Sequence, residues 1–207
     1  MTDSTPLQPF NQRRRQVIVK FLAAAAIALL FVAGPKWDDA SLLRAAFETA
    51  GVIFILVCMF GRLGSTLYVG TRKNSELVMA GPYSMTRNPL YLFSTIGVFG
   101  VGLVFGSIVV ALFLAGMSYL VFSITAKKEA AFLRTQFAAD YPAYESSTPQ
   151  FWPNLRLYHT PSEITFSPKV LLRAFGDSLY FLALIPVVKA VALLQAAGYL
   201  PVLLRLP

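Results

Sequence analysis

Between Thr71 and Tyr91 the chain reads TRKNSELVMAGPYSMTRNPLY, the longest polar interruption in its first two thirds. Arg72, Lys73, Glu76 and Arg87 fall in this span together with Gly81-Pro82 and Asn88-Pro89, two strong turn-forming pairs. Tyr83 and Tyr91 accompany them, and a second polar stretch, Lys127 to Asp140, carries Glu129. A few cations, one carboxylate, phenol hydroxyls and backbone groups freed by proline turns suit the grip of a zwitterion. An amino-acid-like headgroup needs an acceptor for its ammonium, which Glu129 can supply. It also needs donors for its carboxylate, which Arg87, Asn88 and a tyrosine can supply. No side chain stands out as a general base, so no catalytic residue is assigned. Each of these residues also has a plainer role: Tyr91 as an interface aromatic, Arg87 as loop charge, Glu129 as the partner of Lys127 or Arg134.

Other chemistries lack their residues. There is no G-x-x-x-x-G-K or G-x-G-x-x-G loop for phosphates and no G-x-S-x-G nucleophile turn. Cys58 is the only cysteine and lies in an apolar run, which excludes an internal disulfide and a cysteine-rich zinc site. His159 is the only histidine, and no metal site is expected. Without a long basic helix or an aromatic-basic signature, nucleic acid is not an expected partner.

The elements that must hold the two polar stretches are membrane helices. Of the 207 residues, 56% are hydrophobic and 14% charged, against about 25% charged in soluble domains. Residues 1–16 form a polar tail ending in Arg13-Arg14-Arg15. Val17 to Gly34 is an apolar run near the ~20 residues that span a bilayer. Further helices are predicted over Ala45–Gly61, Leu90–Phe105 and Ile108–Ala126, the last two forming a tight hairpin across Gly106-Ser107. Gly97, Gly100, Gly102 and Gly106 in the third predicted helix permit close backbone approach by a neighbouring helix. Lys127 to Asp140 reads as a separate amphipathic helix, broken near Tyr141 by Pro142. Ser146 to Pro168 is a proline-rich loop in which Phe151-Trp152 is an interface anchor. A last apolar segment, Ala174 to about Leu200, is kinked or broken at Pro186 and carries Asp177 and Lys189.

The expectation is an all-α integral membrane protein of about five transmembrane helices, with a cytoplasmic amphipathic helix after the fourth. It forms one membrane domain over 1–207: the tail 1–16, a four-helix core 17–126, the amphipathic helix and loop 127–168, and a membrane segment 169–207. Part of the net charge of +8 follows from Lys and Arg clustering in alternate loops. With the N-terminus cytoplasmic, the positive-inside rule places both polar stretches on the cytoplasmic face, where they can meet.

The segment GPYSMTRNPLY then resembles the GPY-x-x-x-R-H-P-x-Y motif of the isoprenylcysteine carboxyl methyltransferase and phospholipid methyltransferase family of membrane enzymes. Glu129 to Leu133, Phe137, Tyr141, Tyr144 and the run Pro149-Gln-Phe-Trp-Pro153 are similar to that family's second motif. The resemblance covers about residues 45–155. It implies S-adenosylmethionine as cofactor, contacted by Ser75, Glu76, Leu77, Val78, Tyr83, Arg87, Asn88, Pro89, Leu90, Tyr91 and Glu129. It implies methyl transfer to a lipophilic acceptor by direct displacement at the cytoplasmic face of a bacterial inner membrane. A carboxylate acceptor needs no general base; a phospholipid amine is the alternative. Asn88 stands where the family has His, Ala130 where it has a second Glu, and Ala138 where it has Gly. Thr125 stands where eukaryotic members have the Arg that holds a prenylcysteine carboxylate. These departures leave open a non-catalytic lipid- or partner-binding relative of the same fold. Asp177 and Lys189 leave open a small transporter or channel subunit. The partners expected are the bilayer and a lipophilic substrate, with oligomeric state unassigned.

Overall fold

The structure, a computed structural model, describes residues 41–70 and 76–207, with Phe31 and Ala33–Pro35 ahead of them. The predicted first span lies almost wholly outside the described residues. Among those described, the protein is all-α with six helices: α1 Leu42–Val69, α2 Pro82–Met85, α3 Pro89–Phe105, α4 Ile108–Gln136, α5 Tyr141–Ser147 and α6 Pro168–Ala196. A small parallel pairing of β1 Ala33–Pro35 with β2 Leu204–Leu206 is added to them. α1, α4 and α6 are long and apolar enough to cross a membrane, and α3 is a shorter apolar helix. Leu112, Phe60, Leu172 and Leu193 point outward on the long helices, as expected where lipid is the solvent. The protein is an integral membrane protein.

α1 begins at Ser41, whose side chain accepts from the Arg44 amide at 3.2 Å. It continues eight residues beyond the predicted end at Gly61. Arg62 is therefore inside the helix, where its guanidinium donates to Ser94 of α3 at 2.6 Å and lies 5.9 Å from the Phe181 ring centre of α6. This side chain, just past the predicted helix end, ties three helices together. At the other half of α1 the backbones of α1 and α3 cross in contact. A Cβ on Gly51 would lie 2.6 Å from the Gly100 carbonyl oxygen, and one on Gly100 would lie 2.7 Å from that of Gly51. The apolar core gathers Ile55 of α1, Val104 and Phe105 of α3, Val110 and Leu114 of α4, and Val188 of α6.

Lys189 of α6 pairs with Glu48 of α1, which also accepts from Arg44 at 3.1 Å. The lysine that suggested transport is thus an interhelical tie. α6 runs unbroken through Pro186. Its packing against α1 and α3 supports the helix where the proline removes one donor. α4 departs further from expectation: the amphipathic stretch is its direct continuation. Nothing at Ala126-Lys127 stops a helix, and the Lys-Lys-Glu-Ala-Ala run that follows consists of good helix formers. The chain turns only at Phe137–Asp140, and Pro142 stands in the first turn of α5, where its missing amide costs nothing.

Candidate functional site

The two polar stretches meet at one end of the bundle. The Tyr91 hydroxyl, from the first turn of α3, donates to Glu129 Oε1 of α4 at 2.8 Å. The Tyr91 ring is stacked on Phe122 of α4, centres 4.7 Å apart and planes 10° from parallel. Glu129 Oε2 accepts no hydrogen bond from the described residues. Around this pair lies a cleft of about 200 Å³, open to the outside, walled by Glu76, Leu77, Val78, Tyr83, Arg87, Asn88, Pro89, Leu90, Tyr91 and Glu129. This is below the ~300–1,000 Å³ of typical ligand pockets, enough for one end of a cofactor. Ser75 lies outside the described residues. Val69, Phe132, Leu133 and Tyr144 complete the wall. Val69 could not be placed while α1 was ended at Gly61. Leu133 and Tyr144 belong to the second motif, and their helical spacing was the available signal.

The turn residues are held from behind by the proline-rich loop. The Gly81 amide donates to the His159 carbonyl at 2.8 Å, and the His159 amide to Ser84 Oγ at 3.1 Å. The Asn154 amide donates to the Met85 carbonyl at 3.0 Å, Thr86 Oγ1 to that of Phe151 at 2.9 Å, and the Arg87 amide to that of Pro149 at 2.9 Å. Gly81 has φ +62°, and a Cβ there would meet the Tyr68 ring at 2.3 Å, so glycine is required at this turn.

Asn88 and Arg87 do something other than face a ligand with all their donors. Asn88 precedes α3 but does not cap it; its side-chain Nδ2 donates to the Gln150 carbonyl at 2.8 Å. A histidine ring N–H could make the same bond, so Asn in place of His keeps the donor that this position uses. Arg87 Nη1 donates to Glu145 Oε1 at 2.5 Å and to the Tyr141 hydroxyl at 3.2 Å. Arg134 donates to the other Glu145 oxygen at 2.6 Å. Hydrogen bonding from Arg134 and Arg87 holds the Glu145 carboxyl below the usual range, although partial burial opposes this. Glu145 was missed from sequence, where a lone Glu after Tyr144 carries no distinguishing pattern. Arg87 Nε remains buried without a partner among the described residues. Tyr144 donates to the Tyr83 carbonyl at 2.7 Å. Burial raises both phenols well above their ordinary value, so they stay protonated.

Residues 45–140 match the phospholipid methyltransferase family. The chain belongs to this family. The matched span begins near the start of α1 and ends just past α4, so it contains Tyr91, Glu129 and every described cleft residue except Tyr144. Two relatives of this family member match over nearly their whole length. The nickel-cobalt-cadmium resistance protein NccN of Alcaligenes xylosoxydans xylosoxydans is 34% identical over 98% of this chain and 94% of its own. The cobalt-zinc-cadmium resistance protein CzcN of Cupriavidus metallidurans is 32% identical over 95% of this chain and 90% of its own. No solved structure matches. Among the described residues, no three of His, Cys, Asp or Glu are grouped to hold a metal ion.

The donor set of the cleft fits the amino-acid end of S-adenosylmethionine. Among the described residues, one carboxylate oxygen of Glu129 is oriented by Tyr91 and the other accepts no hydrogen bond, Arg87 Nε is an orphan donor, and Leu77, Val78 and Leu133 supply an apolar wall.

Proposed function

We propose that the protein is an S-adenosylmethionine-dependent methyltransferase acting on a lipophilic acceptor at the cytoplasmic membrane face. The observation that carries this reading is the Tyr91–Glu129 hydrogen bond inside a cleft built from both family motifs. Glu129 accepts from the cofactor's ammonium, and Tyr91 fixes the carboxylate that does so. Arg87 Nε donates to the cofactor's carboxylate, while Glu76, Leu77, Val78, Tyr83 and residues 88–91 line the rest; Ser75 joins them on sequence grounds. Bound there, the cofactor supplies an electrophilic methyl group on a sulfonium. The chain's contribution is to hold two reactants in reach of one another, worth up to ~7–11 kcal/mol, and to exclude water with its apolar wall.

The acceptor we favour is a carboxylate, which needs no base, because Glu129 is committed to Tyr91 and the cofactor. The family description supports a phospholipid amine as the second reading. NccN and CzcN are named for resistance to nickel, cobalt, zinc and cadmium. Esterifying an acidic membrane group removes a negative charge and a ligand for such cations, which gives methylation a route to metal resistance.

The test is transfer of labelled methyl from S-adenosylmethionine into membrane lipid by the purified full-length protein in nanodiscs. Label released by mild base marks an ester, and stable label marks an N-methyl group. Absence of any labelling that depends on Glu129 would overturn the proposal.

A further inference from the structure

A second cavity, about 450 Å³, opens on the opposite side of α4 from the Glu129 cleft. We propose that it binds the headgroup of an anionic phospholipid. This inference does not rest on methyl transfer.

Three observations carry it. The first is an unpaired cation beside an unpaired hydroxyl. Lys127 lines the cavity, and no ion pair engages it among the described residues. Ser123, one turn earlier on the same face, lines it too, and its Oγ is buried without a hydrogen-bond partner among the described residues. An ammonium and an unsatisfied hydroxyl donor on residues of one cavity wall suit a phosphate.

The second is depth. At ~1.5 Å per residue Lys127 stands about 28 Å along α4 from Ile108, close to the ~30 Å thickness of a hydrocarbon core. The Lys and Arg distribution places this end at the cytoplasmic side. Lys127 is therefore at headgroup level, while Leu120 and Ile124, 55% and 57% exposed, lie beneath it on the same cavity wall at acyl-chain level. A soluble phosphate has no use for that apolar wall; a lipid does.

The third is the rim. Tyr119 stacks with Trp152, ring centres 5.7 Å apart, and both pack against the buried Phe151. Trp152 is 65% exposed, and through its stacking on Tyr119 it extends the apolar wall of Leu120 and Ile124 at acyl-chain level. Gln150 closes the back: its Nε2 donates to the Ser123 carbonyl at 3.3 Å, and its own carbonyl receives Asn88 of the other cleft.

The experiment uses full-length, delipidated protein in detergent. Binding of phosphatidylglycerol and of phosphatidylcholine with identical acyl chains is compared by native mass spectrometry. Phosphatidylglycerol is expected to bind about fivefold tighter or more, the effect of one lysine near an anionic headgroup. Lys127→Gln is expected to erase that preference, Ser123→Ala to reduce it, and Lys128→Gln, at the same depth on another face, to leave it. Thermal midpoints check that each variant is folded. Equal binding of the two lipids overturns the proposal. Equal loss in Lys127→Gln and Lys128→Gln also overturns it, by showing general surface charge. Competition by free glycerol 3-phosphate as effective as that by the lipid overturns the assignment of a lipid ligand.

Discussion

Replacing Glu129 by Gln removes one negative charge and changes almost no volume, which makes it a sharp probe of the proposed cleft. The carboxylate is held by the Tyr91 hydroxyl at 2.8 Å, and its second oxygen accepts no hydrogen bond from the described residues. A hydrogen bond to a charged group contributes about 1.5–3 kcal/mol. At about 1.4 kcal/mol per factor of ten, that is roughly a ten- to hundredfold change in affinity. The change should be confined to ligands that carry the ammonium. S-adenosylhomocysteine has the amino-acid end; 5′-methylthioadenosine has the adenosine and the sulfur without it. Calorimetry on the purified protein is expected to show tighter binding of the former, and Glu129→Gln is expected to shrink that ratio by the factor above. Tyr91→Phe should shrink it less, since the charge stays and the ring keeps its stacking on Phe122. A ratio unchanged in Glu129→Gln would refute the assignment of this carboxylate to the ammonium, however the absolute affinities moved.

Two further outcomes follow from the hydrogen bonds around the turn. Because Asn88 donates to the Gln150 carbonyl, Asn88→His should retain the thermal midpoint, whereas Asn88→Leu leaves that carbonyl only the longer 3.3 Å hydrogen bond from Thr86 Oγ1 and should lose about 0.5–1.5 kcal/mol of stability, read by thermal unfolding in detergent. Glu145, held below the ordinary carboxylate range by Arg134 and Arg87, adds stability that is complete above its unfolded value of ~4.3 and is lost as pH falls through the lower folded value. The wild type and Glu145→Gln should therefore differ most in thermal midpoint at neutral pH and converge as pH falls; a gap that does not narrow with falling pH would count against this assignment.

The sequence made the meeting of the two polar stretches legible because charge and hydropathy constrain it twice over. Loop cations fix which ends share a face, and two motifs name the residues. Tyr91 and Glu129 are in contact for that reason. Helix extents were less legible. Apolar residues stop at the membrane surface, but helices stop only where hydrogen bonding or a breaker ends them, so α1 runs to Val69 and α4 to Gln136. The fastening of residues 81–88 to the loop left almost no trace, since it is built from carbonyls of Pro149, Gln150, Phe151 and His159 that any residue could offer. Arg87 and Asn88 were read as ligand donors because their side chains can donate. The structure directs Nη1 of one and Nδ2 of the other to protein acceptors, a choice that depends on neighbours about sixty residues away.

The continuity of α4 has a mechanical consequence. From Ile108 to Glu129 the helix is one rod, about 32 Å long at ~1.5 Å per residue. Tyr91 is carried instead by α3, which has 17 residues and so only about 25 Å of length. A bilayer thinner or thicker than the rod's apolar portion is met by tilting, and a long lever and a short one do not move their ends by the same amount. The Tyr91–Glu129 contact is therefore expected to open or tighten with the hydrophobic thickness of the surrounding membrane. Acyl-chain length would then enter the site as a distance, ahead of any chemistry.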